Sequence, residues 1–319
     1  NGYISNLKKE LAKNDSQAAY TYRTRDYFRR RAWRFLDRMG QLDDQSYVPM
    51  AVGVLLQVTD EDAVGPFMAG YDWESDKSVY SDKFGTFFAF NGILYANSSR
   101  YAARSGNRPG WLCKPGYEPG GPAPMEREEA FPHLWDKTPR GLLHLISDSR
   151  CQEVHEFAVK ALRANGPFCD SLDVDVIKMM LSTPYNVTHR FAVELAQKRF
   201  DPANPDVQLV LALLSCSLTE ARNLGLSWLN QYRAAFVPQT DFWVAICILP
   251  FEDVRKAARD ALTGISFMPD QSGALLSRFI DQMLVFSDEN DVDLASELGE
   301  TIRLVFAPLL RQLDMALIL

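Results

Sequence analysis

Along the C-terminal two-thirds of the chain, apolar residues recur at intervals of three and four, in helix-length segments that come in pairs. Four of these segments, residues 154–162, 188–196, 221–229 and 254–262, share one pattern around a small central residue. That residue is Ala158, Ala192, Gly225 and Ala258 in turn, at separations of 34, 33 and 33. The positions four before it and three and four after it are mostly apolar, so they lie on one helix face. A side chain as small as Ala or Gly at the centre lets a neighbouring helix approach closely. A more hydrophobic segment precedes each one, at 141–147, 174–182, 207–215 and 241–249, which makes the unit helix, tight turn, helix. Thr138–Pro139 and Asn204–Pro205 each offer a capping side chain followed by proline at the first helical position. A fifth pair is predicted at 272–287 and 292–305, with Pro308 interrupting the last helix.

The front third follows the same rhythm and then loses it. A helix is predicted over 16–39, capped by Ser16 and ended by Gly40, with Ala32 echoing the small repeat position. A second helix is predicted over 47–58 with Ser46 as its cap, so the paired-helix array is expected to begin here. Residues 59–130 break the period. Phe84 to Tyr95 reads as an apolar helix, and residues 105–124 hold five Gly and five Pro. A loop of that length in a folded protein is functional or disordered; Trp111, Leu112 and Tyr117 favour one pinned to the surface by its aromatics. The expected organisation is 1–58 as N-terminal helices, 59–130 as an irregular insertion, and 131–319 as repeats.

A period of 33–34 also suits tetratricopeptide and ankyrin repeats, but neither signature is present. What remains resembles short HEAT/armadillo-like repeats over about residues 138–305. The runs at 27–36, 130–135 and 149–158 are similar to HEAT-like regions of large multidomain bacterial proteins, some of which also carry a WGR domain. That resemblance implies a bacterial origin and a nucleic-acid context, and supplies no catalytic residues; no WGR motif is visible. The expected fold class is all-α, an α-solenoid of HEAT-like helix pairs with an irregular insertion, whose repeats stack into a long surface.

Composition changes this picture little. The chain is 47% hydrophobic and 24% charged, as in folded proteins. A net charge of −7 argues against non-specific nucleic-acid binding by the molecule as a whole. Cys113, Cys151, Cys169, Cys216 and Cys247 include no C-x-x-C pair and read as buried reduced thiols, hence a cytoplasmic setting. The longest apolar run, 242–251, is about half of a membrane span, so no membrane contact is expected. The opening without Met and the apolar close at 315–319 point to a fragment of a longer chain, or to an end that packs on a partner.

Arginine is the sharpest surface feature. Seven arginines between positions 23 and 38, against Asp26 and Asp37, give that segment +5 and leave −12 on the rest. Arg23, Arg30, Arg34 and Arg38 share one helix face with Tyr27, and Phe28, Ala32, Phe35 and Met39 take the opposite one. Such a stripe holds phosphates or pairs with acidic residues; the stretch 288–300, with six acids and no base, suits the second role between molecules. His155 and His189 occupy equivalent repeat positions, about 10 Å apart by helix-packing distances, too far to share a metal, and read as helix-surface residues. Nucleophile, metalloprotease and phosphate-loop motifs are all missing. The function expected is a non-enzymatic scaffold binding a protein partner, with nucleic-acid binding through Arg23, Tyr27, Arg30, Arg34 and Arg38 as the alternative. No cofactor and no metal are expected.

Overall fold

A computed structural model describes every residue except 1, 17, 19–20, 74–75, 105–109, 287–291 and 311–319. The chain divides into two compact units, Asn1–Ser171 and Leu172–Leu319. Among the described residues most of the chain is helical, and no helix is long and apolar enough to cross a membrane.

In the N-terminal unit, α1 (Gly2–Ala12) precedes α2 (Tyr22–Gln41) and α3 (Tyr47–Leu55). The insertion follows: β1 (Phe67–Asp72), β2 (Lys77–Ser81), α4 (Phe88–Tyr95), β3 (Tyr101–Ala103) and β4 (Trp111–Cys113). Then come α5 (Pro132–Lys137), α6 (Arg140–Asp148), α7 (Gln152–Ala164) and α8 (Gly166–Ser171). Helices α2, α3 and α4 pack on one another, α3 also meets α5 and α6, and α7 lies against α5 and α6. Trp135 is the hub: fully buried, it sits edge-on to Tyr47 at 6.2 Å and Phe157 at 4.9 Å, and its Nε1 donates to the Ala130 carbonyl at 3.2 Å.

The insertion adds a few short strands to a mostly helical chain. It carries two antiparallel hairpins, β1–β2 with Met68 opposite Tyr80, and β3–β4 with Ala102 opposite Leu112. Strand β1 is mostly exposed, so it lacks the alternation of buried and exposed residues by which a half-buried strand is read from sequence. Trp111 lies in β4 and Tyr117 packs on the small core of Tyr101, Trp111 and Cys113. The predicted apolar helix starts four residues late, at Phe88, because Gly85 and Phe87 are tied into turns through the carbonyls of Asp82 and Phe84.

Gly92 of α4 sets how closely α2 can approach. A Cβ there would lie 2.6 Å from the Trp33 ring, closer than any relaxed contact. Gly92→Val is expected to push Trp33 outward, cost about 1–3 kcal/mol by overpacking, and raise amide exchange across α2. Exchange unchanged in α2 would show that Trp33 repacks without moving the helix.

The C-terminal unit alternates first and second helices. The first helices are α9 (Val174–Leu181), α11 (Val207–Leu214), α14 (Thr240–Cys247) and α16 (Pro269–Val285). The second are α10 (Asn186–Arg199), α12 (Thr219–Gln231), α15 (Glu252–Thr263) and α17 (Val292–Leu310), with the short α13 (Arg233–Phe236) between α12 and α14. Each first helix packs on its own second helix. Successive first helices touch one another, and so do successive second helices. Ala192 and Ala258 are fully buried, and a Cβ on Gly225 would meet Leu214 at 3.0 Å, so the small position is where helices close up. Asp173 and Asp206 cap α9 and α11, the latter replacing the Asn204 predicted for that role. Helix α17 runs on to Leu310, past the position of Pro308.

A second repeat device appears at one register. His189, Arg222 and Arg255, at the fourth position of α10, α12 and α15, each reach the backbone carbonyl six residues earlier, in the turn before their own helix. His189 Nε2 donates to the Thr183 carbonyl, Arg222 Nη1 to those of Cys216 and Ser217 at 3.1 and 2.9 Å, and Arg255 Nη1 to that of Leu249 at 2.9 Å. In the N-terminal unit His155 does the same to Ser149, at 3.1 Å. His155 and His189 are therefore fully buried turn locks rather than helix-surface residues. The two arginines also extend to the next pair: Arg222 to Asp253 at 2.9 Å, and Arg255 to Glu297 at 2.7 Å. Arg259 holds Glu300 at 2.5 Å. Two acids of the stretch 288–300 are thus bound within the chain, while 288–291 lie outside the described residues.

Candidate interaction surface

Helix α2 begins later than predicted, because Thr21, not Ser16, caps it: its Oγ1 accepts from the Thr24 amide at 3.1 Å. It also passes through Gly40 to Gln41. Gly40 is a packing residue, since the Phe131 ring occupies the space its side chain would fill. Leu36, Met39 and Gly40 are buried and Trp33 half-buried, which turns the rest of the helix outward.

The sequence-predicted residues fall on that outward side. Arg23, Tyr27, Arg34 and Arg38 are exposed and Arg30 is half-buried, all on one stripe. Arg23, Arg29, Arg30 and Arg34 make no side-chain hydrogen bond or ion pair among the described residues. Arg31 Nη1 donates to the Tyr27 hydroxyl at 3.2 Å and Arg38 Nη1 to Gln41 Oε1 at 3.4 Å, both neutral acceptors. Arg25 meets Asp26 at 3.6 Å.

The apolar residues of α2 do not behave as the repeat pattern implied. Ala32 is exposed, unlike its supposed counterparts, and Phe28 and Phe35 are 53% and 56% exposed; only Met39 is buried. Two ridges therefore run side by side at helical spacing, one residue apart rather than on the opposite faces expected. One is Tyr27, Arg31, Arg34 and Arg38; the other is Phe28, Ala32, Phe35 and Met39. Tyr27 and Phe28 touch edge to face at 5.6 Å across the boundary.

Other clusters are internally satisfied. Arg100 grips Glu128 with two hydrogen bonds, 3.0 and 2.7 Å, inside a ring of Tyr95, Tyr101 and Tyr117 whose centroids lie 5.0–5.6 Å away. This clasp escaped sequence reasoning, since nothing links residues 28 positions apart in an irregular segment. Asp60, Cys151 and Glu153 bring potential ligand atoms within 4.8 Å of one another. However, Asp60 accepts the Gln152 amide at 2.8 Å, Glu153 pairs with Lys83, and burial pushes the Cys151 thiol up to about 12. That cluster starts α7 and ties it to the insertion, leaving no free donor set. A groove of about 740 Å³ between β2 and the β3–β4 hairpin mixes Lys77, Arg104 and Lys114 with Asp72, Asp76 and Glu118. Ser78 and Cys113 also line it, and burial pushes the Cys113 thiol up to about 11.

Comparison with protein-family models, curated proteins and solved structures finds no match for this chain.

Proposed function

We propose that the chain is a non-enzymatic interaction scaffold, an α-solenoid of HEAT-like helix pairs with an irregular insertion, which binds a protein partner through a surface that includes the outward face of α2. The observation that carries this reading is the pair of exposed ridges on α2, cationic beside aromatic. Of seven arginines there, only Arg25 meets a described carboxylate, so the fold leaves this charge unused. The solenoid part is supported by the contacts of first helices with first helices and second with second, and by arginines that staple one pair to the next.

A second reading is binding of nucleic acid through Arg23, Tyr27, Arg30, Arg34 and Arg38, with the arginines on phosphates; the lack of carboxylate partners favours it. The protein reading ranks first over a duplex because Phe28 and Phe35 stand on the same surface and a duplex backbone offers them nothing apolar to cover; single strands, whose bases stack on aromatics, are separated by the test. The test is fluorescence anisotropy with duplex DNA, single-stranded DNA and RNA at low and near-physiological salt. The comparison is a variant carrying Arg30→Ala, Arg34→Ala and Arg38→Ala with unchanged helicity. Absence of arginine-dependent binding is the expected result. Binding that falls steeply with salt and disappears in the variant overturns the protein reading.

A further inference from the structure

We infer that the outward face of α2 receives an acidic amphipathic helix of the partner. The inference rests on the scaffold reading and names the chemistry of what docks. Phe28, Ala32 and Phe35 are exposed at i, i+4 and i+7, the spacing at which one helix presents a seam to another, and Met39 at i+11 closes the ridge inside the chain's own packing. Arg31, Arg34 and Arg38, with Tyr27, flank that seam one residue out of register. That is where the facing helix carries residues that set pairing by charge. Phe28 and Phe35 are more than half exposed, and large aromatics of this kind supply most of the energy of an interface once covered.

Charge complementarity selects the occupant. The segment 23–38 is +5 in a chain of net −7, and Arg23, Arg29, Arg30 and Arg34 meet no described carboxylate. Carboxylates brought alongside them gain attraction without displacing an existing pair. An anionic lipid surface fits less well, because the apolar ridge lies at one flank of the exposed arc, with the buried Met39 at its end. Insertion of Phe28 and Phe35 into acyl chains would press the packed side of α2 toward the headgroups. A facing helix needs only the two ridges, which from Tyr27 to Arg38 run about 17 Å by helix rise.

The probe is a fluorescein-labelled peptide of about 20 residues, matched to α2 by helix rise, with leucines on one helical stripe and glutamates on both flanks. A peptide of equal composition with the stripe scrambled, duplex DNA, and vesicles of phosphatidylserine and phosphatidylcholine complete the panel. The full chain is compared with Phe28→Ser/Phe35→Ser and with Arg31→Glu/Arg34→Glu/Arg38→Glu. All of these side chains are exposed, and circular dichroism confirms the fold. The striped peptide is expected to bind, at least about tenfold more weakly to either variant, as for hot-spot residues, and the scrambled peptide far less. Equal binding of both peptides, or loss in the charge variant alone, overturns the inference, since the apolar seam then does nothing. If no probe binds, the inference fails while a scaffold acting through another surface stands. If DNA or vesicles bind through these arginines and the peptide does not, the inference and the scaffold reading fall together.

Discussion

Replacing Arg100 with leucine is expected to destabilise the N-terminal unit by about 3–5 kcal/mol, the usual cost of leaving one half of a buried ion pair. Glu128 is the half left behind. It is 5% exposed, and its remaining partners would be the Ser98 hydroxyl at 2.5 Å and Lys160 at 3.6 Å. Lys160 is already shared with the carbonyls of Pro124 and Glu126. Leucine fills part of the space inside the tyrosine ring but cannot answer the Tyr117 hydroxyl, to which Arg100 Nη1 donates at 3.3 Å. The pH dependence identifies the cause. In the parent chain burial pushes the Glu128 carboxyl up, and the hydrogen bonds from Arg100 and Ser98, with nearby positive charge, outweigh it and hold the group below its ordinary value. A depressed carboxyl adds stability that is present above the ordinary carboxylate range and is lost as pH falls through the folded value. Without Arg100 the burial effect dominates, Glu128 takes up a proton at mildly acidic pH, and the deficit of the variant shrinks as pH falls. Urea unfolding at pH 7 and pH 5, followed by amide exchange in β3 and α4, reads both. Adding Glu128→Gln should recover much of the loss at pH 7. A deficit under about 1 kcal/mol, the range of exposed pairs, or one that does not change with pH, would mean that the clasp is not compensating a buried charge.

The helix pairs were legible because burial of one side of each helix against its partner imposes an apolar face at helical spacing. The predicted segments 141–147, 174–182, 207–215 and 241–249 coincide within about two residues with α6, α9, α11 and α14, the margin at which helix ends are defined. The small residues Ala158, Ala192, Gly225 and Ala258 are all buried, as the close approach of neighbouring helices requires. Helix α2 was read from the same signal and misread, because Phe28, Ala32 and Phe35 imitate a buried face that is in fact turned outward. The packing that orients α2 runs through Trp33 over Gly92 and through Phe131 on Gly40. Neither contact has a local sequence signal, since their partners are 59 and 91 positions away. The hairpins were hidden for different reasons: β1 is mostly exposed and carries no period, and β3 and β4, at three residues each, are too short to show one. The arginine stripe was legible as a stripe, and its exposed aromatic neighbour was not.

His189→Arg is expected to leave stability near neutral pH little changed and to remove its acid sensitivity, whereas His189→Ala should cost about 2–3 kcal/mol through an orphaned buried carbonyl and a cavity. The swap follows the repeat's own substitution. Arg222 and Arg255 occupy this register, donate to the same turn carbonyl, and pass outward to an acid of the next pair. Arg222 reaches Asp253, 31 residues on; 31 residues beyond position 189 stands Glu220, already within 3.8 Å of Arg190. An arginine at 189 therefore finds both of its partners in place. The histidine, by contrast, carries a liability. Its Nε2–H serves Thr183, while Nδ1 is buried with no partner among the described residues to receive a second proton. Burial depresses its pKa below the ordinary 6.5, against a smaller opposing effect of the Thr183 hydrogen bond. Below pH 6.5 the unfolded chain binds a proton that the folded one refuses. Stability is therefore complete above that pH and falls as pH drops through the folded value, at most about 1.4 kcal/mol per pH unit for one such group. Amide exchange in α9 and α10 between pH 7 and pH 5 measures this directly. The parent should open more readily at pH 5, and His189→Arg should lose much of that difference. An arginine variant as acid-sensitive as the parent would move the cause away from His189, and one as unstable as His189→Ala at pH 7 would show that the turn lock is not interchangeable between repeats.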